Sequence, residues 1–145
     1  MITDAEAYAR NAWCWKSLED ALPGKCAVTD IDGAIERGGH LFILEGKNIT
    51  KCKSFDQIGY GQQRTFKTFV MHGFHVLFLY GFPPNKPLYY QLWQPYQPQP
   101  GELTKCEDGE VDIMSIVQQW FETATDDPWE QRTNKDGSIE FIDGE

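Results

Sequence analysis

The stretch "TDIDGAIERGGHLFILEGK", residues 29–47, decides the fold. It reads as two strands, 26–36 and 40–47, joined at Gly38-Gly39, because a two-residue hairpin turn needs the positive φ that glycine tolerates. With that turn Arg37 faces His40 and the numbers of each opposed pair add to 77, so Asp32 stands across from Glu45 and Asp30 across from Lys47. Side chains two apart share one face of a strand. Asp30, Asp32, Glu45 and Lys47 therefore fall on one side, with Leu41 and Ile43 nearer the turn. Two carboxylates at the end of an otherwise apolar strand repel each other in a partly shielded place. A divalent cation would cancel the repulsion, since Mg²⁺ is commonly held by one or two carboxylates and keeps several waters. Lys47 would then orient or help deprotonate one of those waters. The alternative is an exposed hairpin whose Asp30–Lys47 contact is an ordinary surface pair, and a one-residue slip in register would move the whole set to the other face.

Working outward, residues 3–21 read as a helix, with Thr3 as cap, Glu6 three residues on, and Tyr8, Ala12, Trp15 and Glu19 at helical spacing. "LPGK" ends it. After the hairpin and a polar loop, residues 61–72 read as a second helix with Gln62, Phe66, Phe69 and Val70 on one face, closed by Gly73. "FHVLFLYG", 74–81, is a continuous apolar run, the mark of a strand buried on both faces. A further strand is expected at 88–94, an extended connector at 95–101, and a helix over 111–124. The order predicts an α/β fold, helices packed around a mixed central β-sheet. Residues 1–125 are expected to form a single domain. An acidic tail, 126–145, would form a short hairpin or stay loose.

The chain carries a net −9, which by itself argues against a nucleic-acid partner. Residues 102–145, however, hold 13 of the 22 acids and 3 of the 13 bases, a net −10, leaving +1 for residues 1–101. Lys47, Lys51, Lys53, Arg64 and Lys67 form a modest basic stretch opposed only by Asp56, readable as a phosphate-binding surface or a solvated face. Four cysteines without CxxC spacing suggest neither a zinc site nor a disulfide framework, and free thiols are expected. Apolar runs are too short to cross a bilayer and the N-terminus lacks a secretion pattern, so the expected compartment is the cytoplasm.

Asp32 followed by Glu45-Gly46-Lys47 at the end of an apolar strand resembles the D…(D/E)xK motif of the PD-(D/E)XK nuclease superfamily. More narrowly, "LPGK…TDIDGAIERGGHLFILEGK…GQQRTF…GFHVLFLYG" is similar to small phage and prophage members, over roughly residues 10–81. The resemblance implies a restriction-endonuclease-like αβββαβ core and a nuclease that hydrolyses phosphodiester bonds of DNA. It implies that Asp32 and Glu45 bind Mg²⁺ or Mn²⁺, that the Gly46 carbonyl adds a ligand, and that Lys47 positions the attacking water. An acidic residue from the first helix joins the site in some members, for which Glu19 is the candidate ahead of Glu6 and Asp20. Gln62 resembles the family's helix glutamine, holding a water or a phosphate; a bond to backbone at the helix start is its alternative. Pairing of two copies to cut two strands is a further implication, and the host cytoplasm is the compartment if the protein is viral. The residue before the metal-binding Asp is Ile31 rather than Pro, and Asp30 competes for that role; Asp32 is favoured because it faces Glu45.

His40, His72 and His75 are expected to be structural. Trp13, Trp15, Tyr89, Tyr90 and Trp93 either pack in the core or stack on unpaired bases. A second function is consistent with the acidic C-terminal region: a non-catalytic interaction module of the same fold that binds a basic protein partner or mimics nucleic acid.

Overall fold

The computed structural model describes residues 14–22, 29–124, 131–133 and 139–141. The chain forms two compact units, residues 1–30 and 31–145. In the first, the described residues contain one short helix, α1 (Lys16–Asp20), which exposes Leu18 and leaves Glu19 half-buried. The helix expected over 3–21 is thus five residues long where it is described, and Thr3, Glu6 and their neighbours up to residue 13 lie outside the described residues. Lys16 meets Asp20 at 3.4 Å across one turn, an exposed pair of little weight.

The second unit runs β1 (Gly33–Arg37), β2 (His40–Asn48), α2 (Tyr60–Met71), β3 (His75–Phe82), β4 (Lys86–Trp93), β5 (Thr104–Lys105), α3 (Glu110–Thr123), β6 (Gln131–Thr133) and β7 (Ile139–Phe141). Five strands form one sheet in the order β1-β2-β3-β4-β5, parallel between β2 and β3 and antiparallel elsewhere. This is the expected α/β fold with a mixed sheet. In the tail, β6 and β7 pair antiparallel as a two-stranded sheet. Among the described residues no helix is long and apolar enough to cross a membrane.

The hairpin register is the expected one, from Arg37 opposite His40 to Gly33 opposite Leu44, with Gly38 and Gly39 at φ 58° and 81°. Two consecutive positive φ values favour a turn that matches the twist of the strands, and only glycine adopts both without strain. The ladder stops earlier than predicted. Residues 29–32 are not strand, and 26–28 lie outside the described residues. The cause is local: Asp32 accepts the Gly46 N–H through its side chain, so carboxylate replaces backbone where the next rung would form.

Both faces of the sheet are covered. On one, Phe66 and Val70 of α2 pack on Ile43, Val76, Phe78 and Tyr80, with Phe55 and Trp93 beside them. Ring pairs there are edge-on, Phe66 to Phe78 and Phe55 to Trp93 at 5.1 Å each, a favoured aromatic geometry. On the other, Trp120 and Ala124 cover Phe42 and Leu77. β3 is therefore buried on both sides, as its uninterrupted apolar run predicts. Trp93, Tyr89 and Tyr90 belong to these cores, which decides for packing over stacking at those three positions; Trp13 lies outside the described residues.

Two details position the site. Gln91, buried on β4, accepts from the Tyr80 hydroxyl at 2.7 Å and the Phe55 N–H at 3.0 Å, and its amide donates to the Gly101 carbonyl at 3.3 Å. Burial holds the Tyr80 phenol well above its ordinary pKa, so it stays a donor. At Gly81 a Cβ would sit 2.1 Å from the Lys86 carbonyl oxygen, so the backbones of β3 and β4 meet where only glycine fits.

Candidate functional site

The site forms at the end of β2, where that strand runs on past the start of β1. Glu45 lies one residue after the last paired position of the hairpin and points to the α2 face with Ile43. It is 3% exposed. Its Oε1 meets Lys47 Nζ at 3.3 Å, while its Oε2 is buried without a hydrogen-bond partner among the described residues. Burial raises the Glu45 pKa above the ordinary 4.5, the Asp32 carboxylate raises it further by repulsion, and Lys47, together with the nearby Asp32 backbone N–H, opposes both.

Lys47, two residues along and so on the same face, also donates to Gln62 Oε1 at 2.9 Å. The position of Gln62 is built by its neighbour. Gln63 donates through Nε2 to the carbonyls of Phe55 (3.2 Å) and Ile58 (2.7 Å), tying the first turn of α2 to the loop before it. Gln62 is thereby turned towards β2. Asp32, exposed, accepts from the Gly46 N–H at 2.9 Å. In a strand, the N–H and C=O of one residue leave on the same edge. The Gly46 carbonyl is accordingly directed to the edge where Asp32 sits.

Asp32, Glu45, Gly46, Lys47 and Gln62 thus come together in the 31–145 unit. One feature of the expected geometry is corrected: Asp32 is not a ladder partner of Glu45 but reaches across from the bend before β1 to Gly46, and the expected Asp30–Lys47 rung does not form because β1 begins at Gly33. Asp30 and Glu19 belong to the 1–30 unit and are described there alone, Asp30 as exposed. Gln62 bonds to a lysine side chain, not to backbone.

At this end of the sheet lies a cleft of about 380 Å³, lined by Asp32, Gly33, Leu44, Gly46, Lys47, Leu79, Gly81 and the β3–β4 turn from Phe82 to Pro87; it shares Asp32, Gly46 and Lys47 with the cluster, while Leu44 and Leu79 belong to the α3 face, opposite the one Glu45 points to. Nothing in the sequence marked that turn as part of a site. The turn follows Gly81, where the β3–β4 ladder shifts register and the two backbones come close.

Among the described residues no group of three or more His, Cys, Asp or Glu side chains is disposed to hold a metal. The donor set here is two carboxylates and a carbonyl. His40, His72 and His75 line a separate cavity of about 410 Å³ with Tyr96 and Trp120. There His72 Nδ1 lies 2.8 Å from the Thr68 carbonyl, and burial, with His40 nearby, lowers the His75 pKa. Cys14, Cys52 and Cys106 are free thiols, with Cys14 exposed and Cys52 buried; Cys26 lies outside the described residues. Comparisons with family models, curated proteins and solved structures find no match to this chain.

Proposed function

We propose that the chain is a metal-dependent nuclease that hydrolyses phosphodiester bonds, with DNA as its substrate. The observation that carries this reading is Glu45: a carboxylate 3% exposed, with one oxygen unpartnered, repelled by a second carboxylate, and only partly compensated by Lys47. An incompletely paired buried carboxylate costs stability. A cation on that oxygen would offset the cost. Asp32, Glu45 and the Gly46 carbonyl are the groups that would hold Mg²⁺ or Mn²⁺, hard cations that take oxygen ligands and retain waters. When bound, such an ion polarises a phosphoryl oxygen and makes its water a nucleophile near neutral pH.

The remaining chemistry belongs to the chain. Lys47 has three N–H donors, of which Glu45 and Gln62 take two, leaving one for the attacking water or a phosphate oxygen. Gln62 fixes the long lysine side chain, so orientation is set before substrate arrives. Asp32, Gly46 and Lys47 also line the open cleft at this end of the sheet, from which a substrate would approach the cluster. The described order ββαβ from residue 33 to 82 is compatible with the restriction-endonuclease-like core, which has one more strand before its second helix. An interaction module with an acidic surface is the competing reading, favoured by the net −10 of residues 102–145. That surface, however, gives no use to a buried carboxylate.

The test is cleavage of plasmid and oligonucleotide substrates with Mg²⁺, Mn²⁺ or EDTA. Wild type should cut only with metal, and Lys47→Ala and Glu45→Ala should each lose about 10²- to 10⁴-fold in rate. Cleavage that survives both substitutions, or its absence from clean protein on every substrate, would overturn the reading.

A further inference from the structure

The remaining flank of α2 carries a second site. An α-helix turns once in 3.6 residues, so Gln62, Phe66 and Phe69 form one stripe while Tyr60, Arg64 and Lys67 fall on the flank away from Gln62. Those three line a cleft of about 480 Å³ with Phe55, Trp93 and Gln99.

Its chemistry is unlike the rest of the surface. The chain has 22 acids, yet none lines this cleft, whereas two cations do. Among the described residues neither Arg64 nor Lys67 makes an ion pair. Tyr60 is 71% exposed, a large ring held in solvent. Arg64 donates to its hydroxyl at 3.0 Å, with the guanidinium carbon 5.7 Å from the ring centre, so cation and ring are held side by side. Phe55 and Trp93 give the floor an aromatic edge.

The glycines beside Tyr60 add an independent observation. Gly59 has φ −55°, open to any residue, and a Cβ at Gly59 or Gly61 would meet nothing within 4 Å. Neither conformation nor packing within the chain calls for glycine there. What the two glycines leave is bare backbone on either side of Tyr60, where another molecule can lie against the start of the helix.

An exposed ring, two cations without an ion pair among the described residues, and no acid in the lining fit one class of ligand, a nucleotide strand. Bases stack on aromatic faces regardless of sequence, and guanidinium and ammonium groups bind phosphate. We propose that this cleft binds an unpaired nucleotide of the substrate strand at a distance from the bond to be cut, its base on Tyr60 and its phosphates on Arg64 and Lys67. The role as a substrate subsite rests on the nuclease reading; the binding itself does not.

Binding is therefore measured with cleavage switched off, by fluorescence anisotropy of a labelled 12-nucleotide single strand in EDTA, at several salt concentrations. The Arg64→Ala/Lys67→Ala double variant should bind at least about 10-fold more weakly and lower the salt slope by about 1.4, the value for two phosphate contacts on a single strand. Tyr60→Ala should cost roughly 5- to 100-fold. All these side chains are at the surface, and circular dichroism should show the wild-type fold. The proposal is overturned if wild type does not bind the strand, if the variants bind as tightly as wild type, or if Tyr60→Ala is silent while a blunt duplex binds better than the single strand. A free mononucleotide that displaces the strand at equal concentration would also overturn it, in favour of a small-molecule site. Cleavage by wild type is scored separately. Loss of binding in the variants of a protein that never cuts would leave the cleft standing and remove the nuclease, and the converse result would remove only the cleft.

Discussion

Two buried polar clusters lie side by side on the α2 face of the sheet, and they are finished differently. Around Gln91 the side-chain oxygen has two donors, the amide has a carbonyl, and the Tyr80 hydroxyl has its acceptor. Around Glu45, on β2 next to β3, one carboxylate oxygen has Lys47 and the other has no hydrogen-bond partner among the described residues. Burying a polar group without a partner costs about 1–3 kcal/mol, more for a charge. The same sheet satisfies the first cluster with a neutral amide and leaves a charge incomplete in the second. On the proposed nuclease reading, the difference separates a group that serves the fold from one that would take a metal ion.

The comparison breaks most visibly at Gln91. Gln91→Leu strands the Tyr80 hydroxyl and the Phe55 N–H together and should cost about 3 kcal/mol, lowering Tm by on the order of 10 °C in a thermal melt. A loss below 1 kcal/mol would mean the network is dispensable.

Metal sharpens the contrast at the other cluster. With Mn²⁺ at about 100 times its Kd, wild type should gain about 2.7 kcal/mol, a Tm rise of several degrees, and Asp32→Asn/Glu45→Gln should gain none. An equal rise in both proteins would place the ion elsewhere.

The smallest effect is a pH signature. Because the folded state raises the pKa of Glu45, the native protein holds that proton more tightly than the unfolded chain does. The associated stability is complete below the ordinary value of 4.5 and is lost as pH rises through the raised folded value. Glu45→Gln escapes that loss. It should match wild type at low pH and exceed it by about 1 kcal/mol at pH 8, read from urea melts without metal. A variant less stable than wild type at pH 8 would show that the Lys47 contact outweighs burial.

Much of the architecture is legible along the chain because it is locally encoded. Gly38-Gly39 sets a turn, the turn sets the register, and the register brings Glu45 and Lys47 to one face. The uninterrupted run of β3 announces burial on both sides. The parts that escape prediction depend on partners distant in sequence. Gln91 sits in "YYQLWQ" like any strand glutamine, and its partners at Phe55 and Tyr80 are 36 and 11 residues away. Asp32 looks like a strand residue by alternation, yet its carboxylate finds the Gly46 N–H and ends the strand. The contact of Gln62 with Lys47 needs the Gln63 anchor, which no periodicity encodes. The two-residue strand β5 pairs only with Tyr89 and Tyr90 and carries no pattern of its own.

The turn from Phe82 to Pro87 borders the cleft but contributes nothing to the Glu45–Lys47–Gln62 contacts, which rest on β2 and α2. If the proposed nuclease reading holds, reactivity and selectivity would thus be housed in separable parts of the chain. An engineer seeking a different target would then exchange those six residues, keep Gly81, and leave the Glu45–Lys47–Gln62 contacts untouched.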